Sequence, residues 1–260
     1  MNIFALKQPF NAILHLVYSI FNRSEKHKKM KQLRIFAILL SVILMISCNK
    51  DQATGTGDVI IVAKQSGTNT VYGLSLYAYT LSSFSSVTAV SSADPTKKYT
   101  LKSNQGYKTS FSYETPESEY TTTKPVPTTY NFSAVFENGV AQTFQNILSD
   151  KVLPIPNVVK CEYSTTNHQL EVGWTALTDA NSYSISIFEG TTLVFGSTEI
   201  NKTTLSFSVS STGGGWTVGF TPVSGKTYNV RVYAYLNEPG GGAYNVQSIS
   251  IAEKTVVWGN

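Results

Sequence analysis

Histidine, arginine and cysteine are scarce in this chain, and each shortage closes off a class of chemistry. Only 3 of 260 residues are His and 2 are Cys. His15 and His27 fall in the first 30 residues, which leaves His168 as the one imidazole farther along. It stands in Ser164-Thr165-Thr166-Asn167-His168, a polar turn between two strand-like stretches. A Ser or Cys nucleophile has no other histidine to activate it. Zinc takes three or four His, Cys or carboxylate ligands, and no spacing here supplies them. No catalytic residue, metal site or cofactor is expected.

The charge is short of one sign once position matters. Seven of the 20 Lys and Arg precede Cys48, against one of the 16 Asp and Glu, so the remainder carries 13 basic and 15 acidic groups, a net −2. Arg231 is the only arginine left in it. A near-neutral surface without arginine clusters offers no footprint for nucleic acid, and that class is excluded.

What is present at the N-terminal end is a leader. Met30-Lys31-Gln32-Leu33-Arg34 is a basic n-region, residues 35–46 are apolar apart from Ser41, and Ser47-Cys48 follows. Twelve residues of helix span roughly 18 Å, short of the ~30 Å hydrocarbon core, so a retained span is not expected. Met45-Ile46-Ser47-Cys48 resembles the lipobox of bacterial lipoproteins of the Bacteroidota type, with Met45 in place of the usual Leu. By that resemblance Cys48 is lipidated, with a palmitate-type acyl chain, and the membrane is a partner. Residues 1–29 have two readings. Either Met30 is the true start, or 4–21 form a further apolar element, which Pro9, Asn11 and His15 weaken. If Cys48 carries lipid, Cys161 has no partner for a disulfide; alternation in 158–163 puts Val159, Cys161 and Tyr163 on one face, where Cys161 reads as a small core residue.

No stretch after Cys48 holds a 3.6-residue apolar period for three turns, so the chain reads as all-β. Residues 48–57 are a polar, Gly-containing tether. Strand patterns follow at 59–64, 71–80, 84–90, 98–102, 107–113 and 128–137, giving a first β-sandwich over 58–150. Asn138-Gly139 after the last of these predicts a type I′ hairpin into 140–148. Pro154 and Pro156 mark a linker at 151–156. Seven more strands then fill 157–260, the count of an immunoglobulin-like sandwich. Two tandem sandwiches behind a signal peptide are therefore expected.

The second set carries a family resemblance. Leu170-Glu-Val172-Gly-Trp174, Ala180-Asn-Ser-Tyr183-Ser-Ile185-Ser-Ile187 and Gly225-Lys-Thr-Tyr228-Asn-Val230-Arg-Val232-Tyr233-Ala-Tyr235 resemble strands B, C and F of a fibronectin type III domain. The resemblance implies that Trp174 and Tyr183 are core residues. It also implies that Tyr228 is the tyrosine-corner residue, its hydroxyl bonded to backbone ahead of its strand.

Candidate ligand contacts are aromatic. Trp216 follows Gly213-Gly214-Gly215, where it can stack on a sugar or anchor a protein, or fold back as a plug. Tyr244 after Glu238-Pro-Gly-Gly-Gly-Ala243 poses the same choice. Glu114, Glu117 and Glu119 read as a solvated loop. The expected function is a non-catalytic binding or adhesion lipoprotein of the outer membrane, facing periplasm or cell surface, with a polysaccharide or surface protein as partner. The alternative is a structural subunit or spacer of a surface assembly.

Overall fold

The computed structural model describes residues 54–240 and 245–259. The leader, Cys48 and Tyr244 lie outside the described residues. The strands are β1 (Gly55–Ser66), β2 (Asn69–Thr80), β3 (Phe84–Ser91), β4 (Lys98–Asn104), β5 (Tyr107–Glu114), β6 (Thr128–Phe136), β7 (Ala141–Leu148), β8 (Val158–Ser164), β9 (Gln169–Trp174), β10 (Ser182–Glu189), β11 (Thr192–Gly196), β12 (Ile200–Asn201), β13 (Ser206–Ser210), β14 (Thr227–Asn237) and β15 (Val246–Val257). One turn of 3-10 helix, Glu117–Glu119, is the one helical element among the described residues.

β1 to β7 form one continuous ladder in the order β1-β2-β5-β4-β3-β6-β7, rolled so that the two ends meet. At the seam Gln142 Oε1 accepts the Gly55 N–H at 2.9 Å and Asn146 Oδ1 accepts the Val59 N–H at 3.2 Å. Inside lie Ile61, Leu76, Phe84, Phe132, Phe136 and Leu148, all buried. Each such side chain contributes about 1.5–3 kcal/mol on burial. Alternation explains the strand limits: in β6, Tyr130, Phe132, Ala134 and Phe136 point in while Ser133 and Val135 are exposed.

The β6–β7 hairpin forms, but its turn differs from the expected type I′. Only Gly139 has positive φ (81°), Asn138 does not, and the Gly139 N–H donates to Phe136 O at 2.9 Å. This is the three-residue loop in which a type I turn is closed by a left-handed glycine. Asn138 Oδ1 instead accepts the Val140 N–H at 3.0 Å.

The second half is a sandwich of two sheets. β13-β9-β8 faces β11-β10-β14-β15, with β12 on the edge of β10. Three strands against four in this order is the fibronectin type III arrangement. Trp174, 2 % exposed, packs on Tyr183 with ring centroids 5.3 Å apart. The Tyr228 hydroxyl accepts the Val223 N–H at 2.9 Å, and the Tyr183 hydroxyl accepts the Leu177 N–H at the same distance. Both phenols thus close the loop that leads into their own strand.

Sequence alternation fails in β8. A bulge between Val158 and Lys160 turns Val159 out to 64 % exposure, while Val158, Cys161 and Tyr163 lean on the core. Cys161 is half-buried rather than fully buried, and burial pushes its thiol up to about 11, with Lys254 acting weakly against the shift. His168 is an exposed turn residue with φ 54°.

The two sandwiches are joined by more than a linker. β1 pairs in parallel with β15, Ile61↔Ser248 through Lys64↔Ile251, so one sheet runs from β11 through β14, β15 and β1 into the first sandwich. The strand also absorbs the end of the expected tether, since it starts at Gly55. Residues 151–156 pack beneath the join: Val152 touches the first core, Leu153 is buried in the second, and Ser250 Oγ donates to Leu153 O at 2.5 Å.

Candidate functional site

The shared sheet has one face on the cores and one outward. Period-2 alternation decides which side chains each face receives. Two strands repeat one motif, Tyr77-Ala78-Tyr79 in β2 and Tyr233-Ala234-Tyr235 in β14. Both alanines are fully buried in the cores. All four tyrosines therefore stand on the outward face. Each pair lies near-parallel, with centroids 6.0 Å apart at 10° for Tyr77 and Tyr79, and 6.4 Å apart at 13° for Tyr233 and Tyr235.

Registers locate the pairs relative to each other. Tyr235 opposes Ile249, Ile249 opposes Val62, and Val62 opposes Gly73, so these four form one row across the sheet. Tyr77 lies four residues farther along β2. Three strand spacings sideways and four residues along amount to a diagonal of roughly 20 Å. Val62, Ile249 and Ile251 make an apolar floor between the pairs, and a cleft of about 600 Å³ opens over it, also lined by Lys64, Tyr120 and Arg231. A second hollow of about 490 Å³ continues past Tyr79 to Asp58, Asn146, Glu238 and Asn245.

Tyr120 reaches the cleft from the loop after β5 because position 73 has no side chain. A Cβ on Gly73 would come within 2.7 Å of the Tyr120 ring. Backbone bonds between Tyr72 and Thr121 fix that loop along β2. Lys64 Nζ then sits 3.4 Å above the Tyr120 ring centroid and pairs with Glu117.

The remaining charges are also matched. Arg231 Nε donates to Glu253 Oε2 at 2.5 Å, and its guanidinium lies 4.4 Å from the Phe188 ring centroid. Glu114 accepts from the Ser75 hydroxyl and, at 2.5 Å, from the Tyr77 hydroxyl. Glu114 and Glu117, expected to be solvated loop residues, are thus exposed but committed to the cleft wall. The Tyr235 hydroxyl and Ser184 Oγ are 2.8 Å apart.

Burial, then Glu114, drives the Tyr77 phenol far above its ordinary range, and burial followed by Glu114 and Glu117 pushes Tyr120 up to about 12. Burial raises Tyr79 and Tyr235 as well. All four phenols keep their protons at neutral pH; Tyr77 donates its hydroxyl hydrogen bond to Glu114 and Tyr235 is paired with Ser184. At the far end burial lifts the Asp58 carboxyl to about 6, opposed by the Val59 N–H and assisted by Glu238.

Trp216 is elsewhere, at one end of the second sandwich. Its ring is partly buried among Phe195, Phe220 and Trp258, with centroids 4.9, 5.6 and 5.5 Å away, and its indole N–H donates to Ser210 O at 2.9 Å. The glycine turn folds the ring back over the core. The tyrosine cleft shares no residue with it, and sequence reasoning missed the cleft entirely. The signal was the repeated Tyr-Ala-Tyr, which places two large rings on the side of a strand that normally carries small polar residues.

No protein-family model and no curated protein sequence matches the chain. Among solved structures it is similar to a two-domain fibronectin type III segment of chicken tenascin (17% identity, 78% of this chain and 99% of that one, TM-score 0.27). It is also similar to Tp47, the 47-kilodalton lipoprotein of Treponema pallidum (14% identity, 78% of this chain, TM-score 0.35), of which it spans about half, 49%. A bacterial ice-binding adhesin aligns at 13% identity over 81% of this chain and 65% of that one, with a TM-score of 0.27. At these scores the likeness adds nothing to the strand order, on which the fold assignment rests.

Proposed function

We propose that the chain is a non-catalytic, membrane-tethered binding protein whose contact surface is the tyrosine cleft of the shared sheet. The observation that carries this reading is the placement of Tyr77, Tyr120 and Tyr233 around one apolar floor, with Tyr79 and Tyr235 on the same outward face and contributions from both sandwiches. Aromatic side chains with polar tips are the residues that binding surfaces concentrate, because they bury area at little entropic cost and keep a hydrogen-bonding end. Cys48 supplies the anchor in this proposal, holding the protein at the outer membrane on its periplasmic or outer side, with a polysaccharide or surface protein as partner.

A second reading, a structural spacer, is favoured by the β1–β15 ladder, which turns two sandwiches into one body of fixed length. Two measurements separate these. Metabolic labelling with a fatty-acid analogue should mark the chain and fail to mark Cys48→Ser. Calorimetric titration should then find a partner whose affinity drops in Tyr77→Ala and Tyr233→Ala; a partner held equally by both variants would leave the spacer reading in place.

A further inference from the structure

We infer that the cleft takes an uncharged, extended glycan chain that touches both sandwiches at once, an inference that rests on the cleft being the binding surface. The backbone of the floor rules against the main alternative, an added peptide strand. β14, β15, β1, β2 and β5 are each paired with neighbours along the cleft, so their N–H and C=O groups are spent in ladders. Peptide strands bind sheets at open edges, where main-chain hydrogen bonds are free, and the cleft is the face of a sheet, not an edge.

Charge selects among glycans. Of the described residues lining the cleft, Lys64 is matched by Glu117, Arg231 by Glu253, and Glu114 by two hydroxyl donors. No cation is left over to hold a uronate, sulfate or phosphate. What the cleft does offer is aromatic surface for the C–H faces of sugar rings, together with tyrosine hydroxyls and carboxylate oxygens for their hydroxyl groups. Around the three aliphatic floor residues the lining is mostly polar, with Gln65, Ser75 and Glu114 among it, so hydrogen-bonding groups are plentiful for the many hydroxyls of a sugar chain.

Shape selects length. The diagonal from Tyr235 to Tyr77 is roughly 20 Å; the hollow of about 600 Å³ spans from Tyr233 to Tyr77, and the one of about 490 Å³ begins at Tyr79. A monosaccharide would fill one end and leave the other tyrosine pair unused. Affinity should therefore climb with chain length until both pairs are covered.

The test is calorimetric titration of the purified full chain with cello-, laminari-, xylo-, malto- and manno-oligosaccharides of increasing length, and with oligogalacturonate as the charged comparator. The expected result is saturable binding of at least one neutral series, tightening with length and falling roughly tenfold or more in Tyr77→Ala and in Tyr233→Ala. Tyr107→Ala, an exposed tyrosine outside the cleft, should bind as the parent does. Unchanged melting temperatures for the variants would show that the fold is intact, and Tyr77→Phe and Tyr233→Phe, which keep the rings, should retain most of the affinity. If no neutral sugar binds, or only oligogalacturonate does, the uncharged-glycan assignment is overturned. If a protein partner is then found and lost in the same two variants, the cleft survives as the binding surface. If sugar binds and neither tyrosine variant weakens it, the cleft itself is the wrong site.

Discussion

The two sandwiches enclose cores of similar make-up but close them differently. The second stacks three strands on four. The first rolls a single ladder until β1 meets β7, and at that seam the strands are bridged by the Gln142 and Asn146 side chains in place of a ladder. An open strand edge is a liability that invites pairing with other chains. β1 divides its open edge: residues 55–59 lie along the seam and residues 61–64 pair with β15. The incomplete closure of one sandwich is what fuses it to the other, and that fusion creates the face on which both tyrosine pairs stand.

The comparison breaks most sharply through the first core. Phe132→Ala should cost about 3–5 kcal/mol. All three tryptophans, Trp174, Trp216 and Trp258, belong to the second sandwich, so tryptophan fluorescence reports that half alone. If the shared ladder couples the halves, Phe132→Ala will lower the tryptophan-detected melting temperature along with the tyrosine-detected one. Adding Val62→Pro, which puts an imino acid in a strand paired on both sides, should split the two signals into separate transitions.

A smaller effect concerns the join's far end. The Asp58 carboxyl has an ordinary value of 3.8 and a folded value of about 6, so the folded state holds the proton more tightly than the unfolded chain does. Stability is then greatest below pH 3.8 as far as this group is concerned, and declines as pH rises through about 6. Asp58→Asn, neutral throughout, should gain up to about 3 kcal/mol at pH 7 and nothing in the acid range, as read by denaturant melts at several pH values.

The smallest effect sharpens the likeness of two loops. Tyr228→Phe and Tyr183→Phe each strip the acceptor from a backbone N–H, of Val223 and Leu177 respectively. Each should cost about 1–2 kcal/mol. Equal losses in urea melts would show that Tyr183 braces its loop as the corner residue Tyr228 does.

Most of the strand limits could be read from the chain, because one-sided burial writes a period of two into β6, β10 and β14. The exceptions have local causes. Val159 obeys the alternation on paper, but the β8 bulge shifts it outward. Asn138-Gly139 has the composition of a type I′ turn, yet Asn138 uses its side chain on the Val140 N–H and only the glycine turns left-handed. The expected boundary at Pro154 has the right chemistry for a linker and misses that the strands on either side of it would pair around it. The tyrosine cleft was half legible. Tyr-Ala-Tyr is visible twice, and alternation alone puts each pair opposite a buried alanine. Nothing in the local pattern shows that β1 and β15, the first and last described strands, lie side by side and bring the pairs onto one surface. Trp216 follows three glycines, which supply the freedom to fold inward as readily as outward.

The position of β1 also sets how the protein bears load. It is the first strand among the described residues, and it forms part of the cleft floor. If the N-terminal segment is anchored and the cleft occupied as proposed, a pull between the two would run along β1 and act in shear on its ladders to β2 and β15, stressing many hydrogen bonds together instead of peeling them one at a time. In that proposal the path from anchor to ligand would run along a strand whose Val59 and Ile61 are held in the first core, so the strand under tension would be one that also lines the cleft.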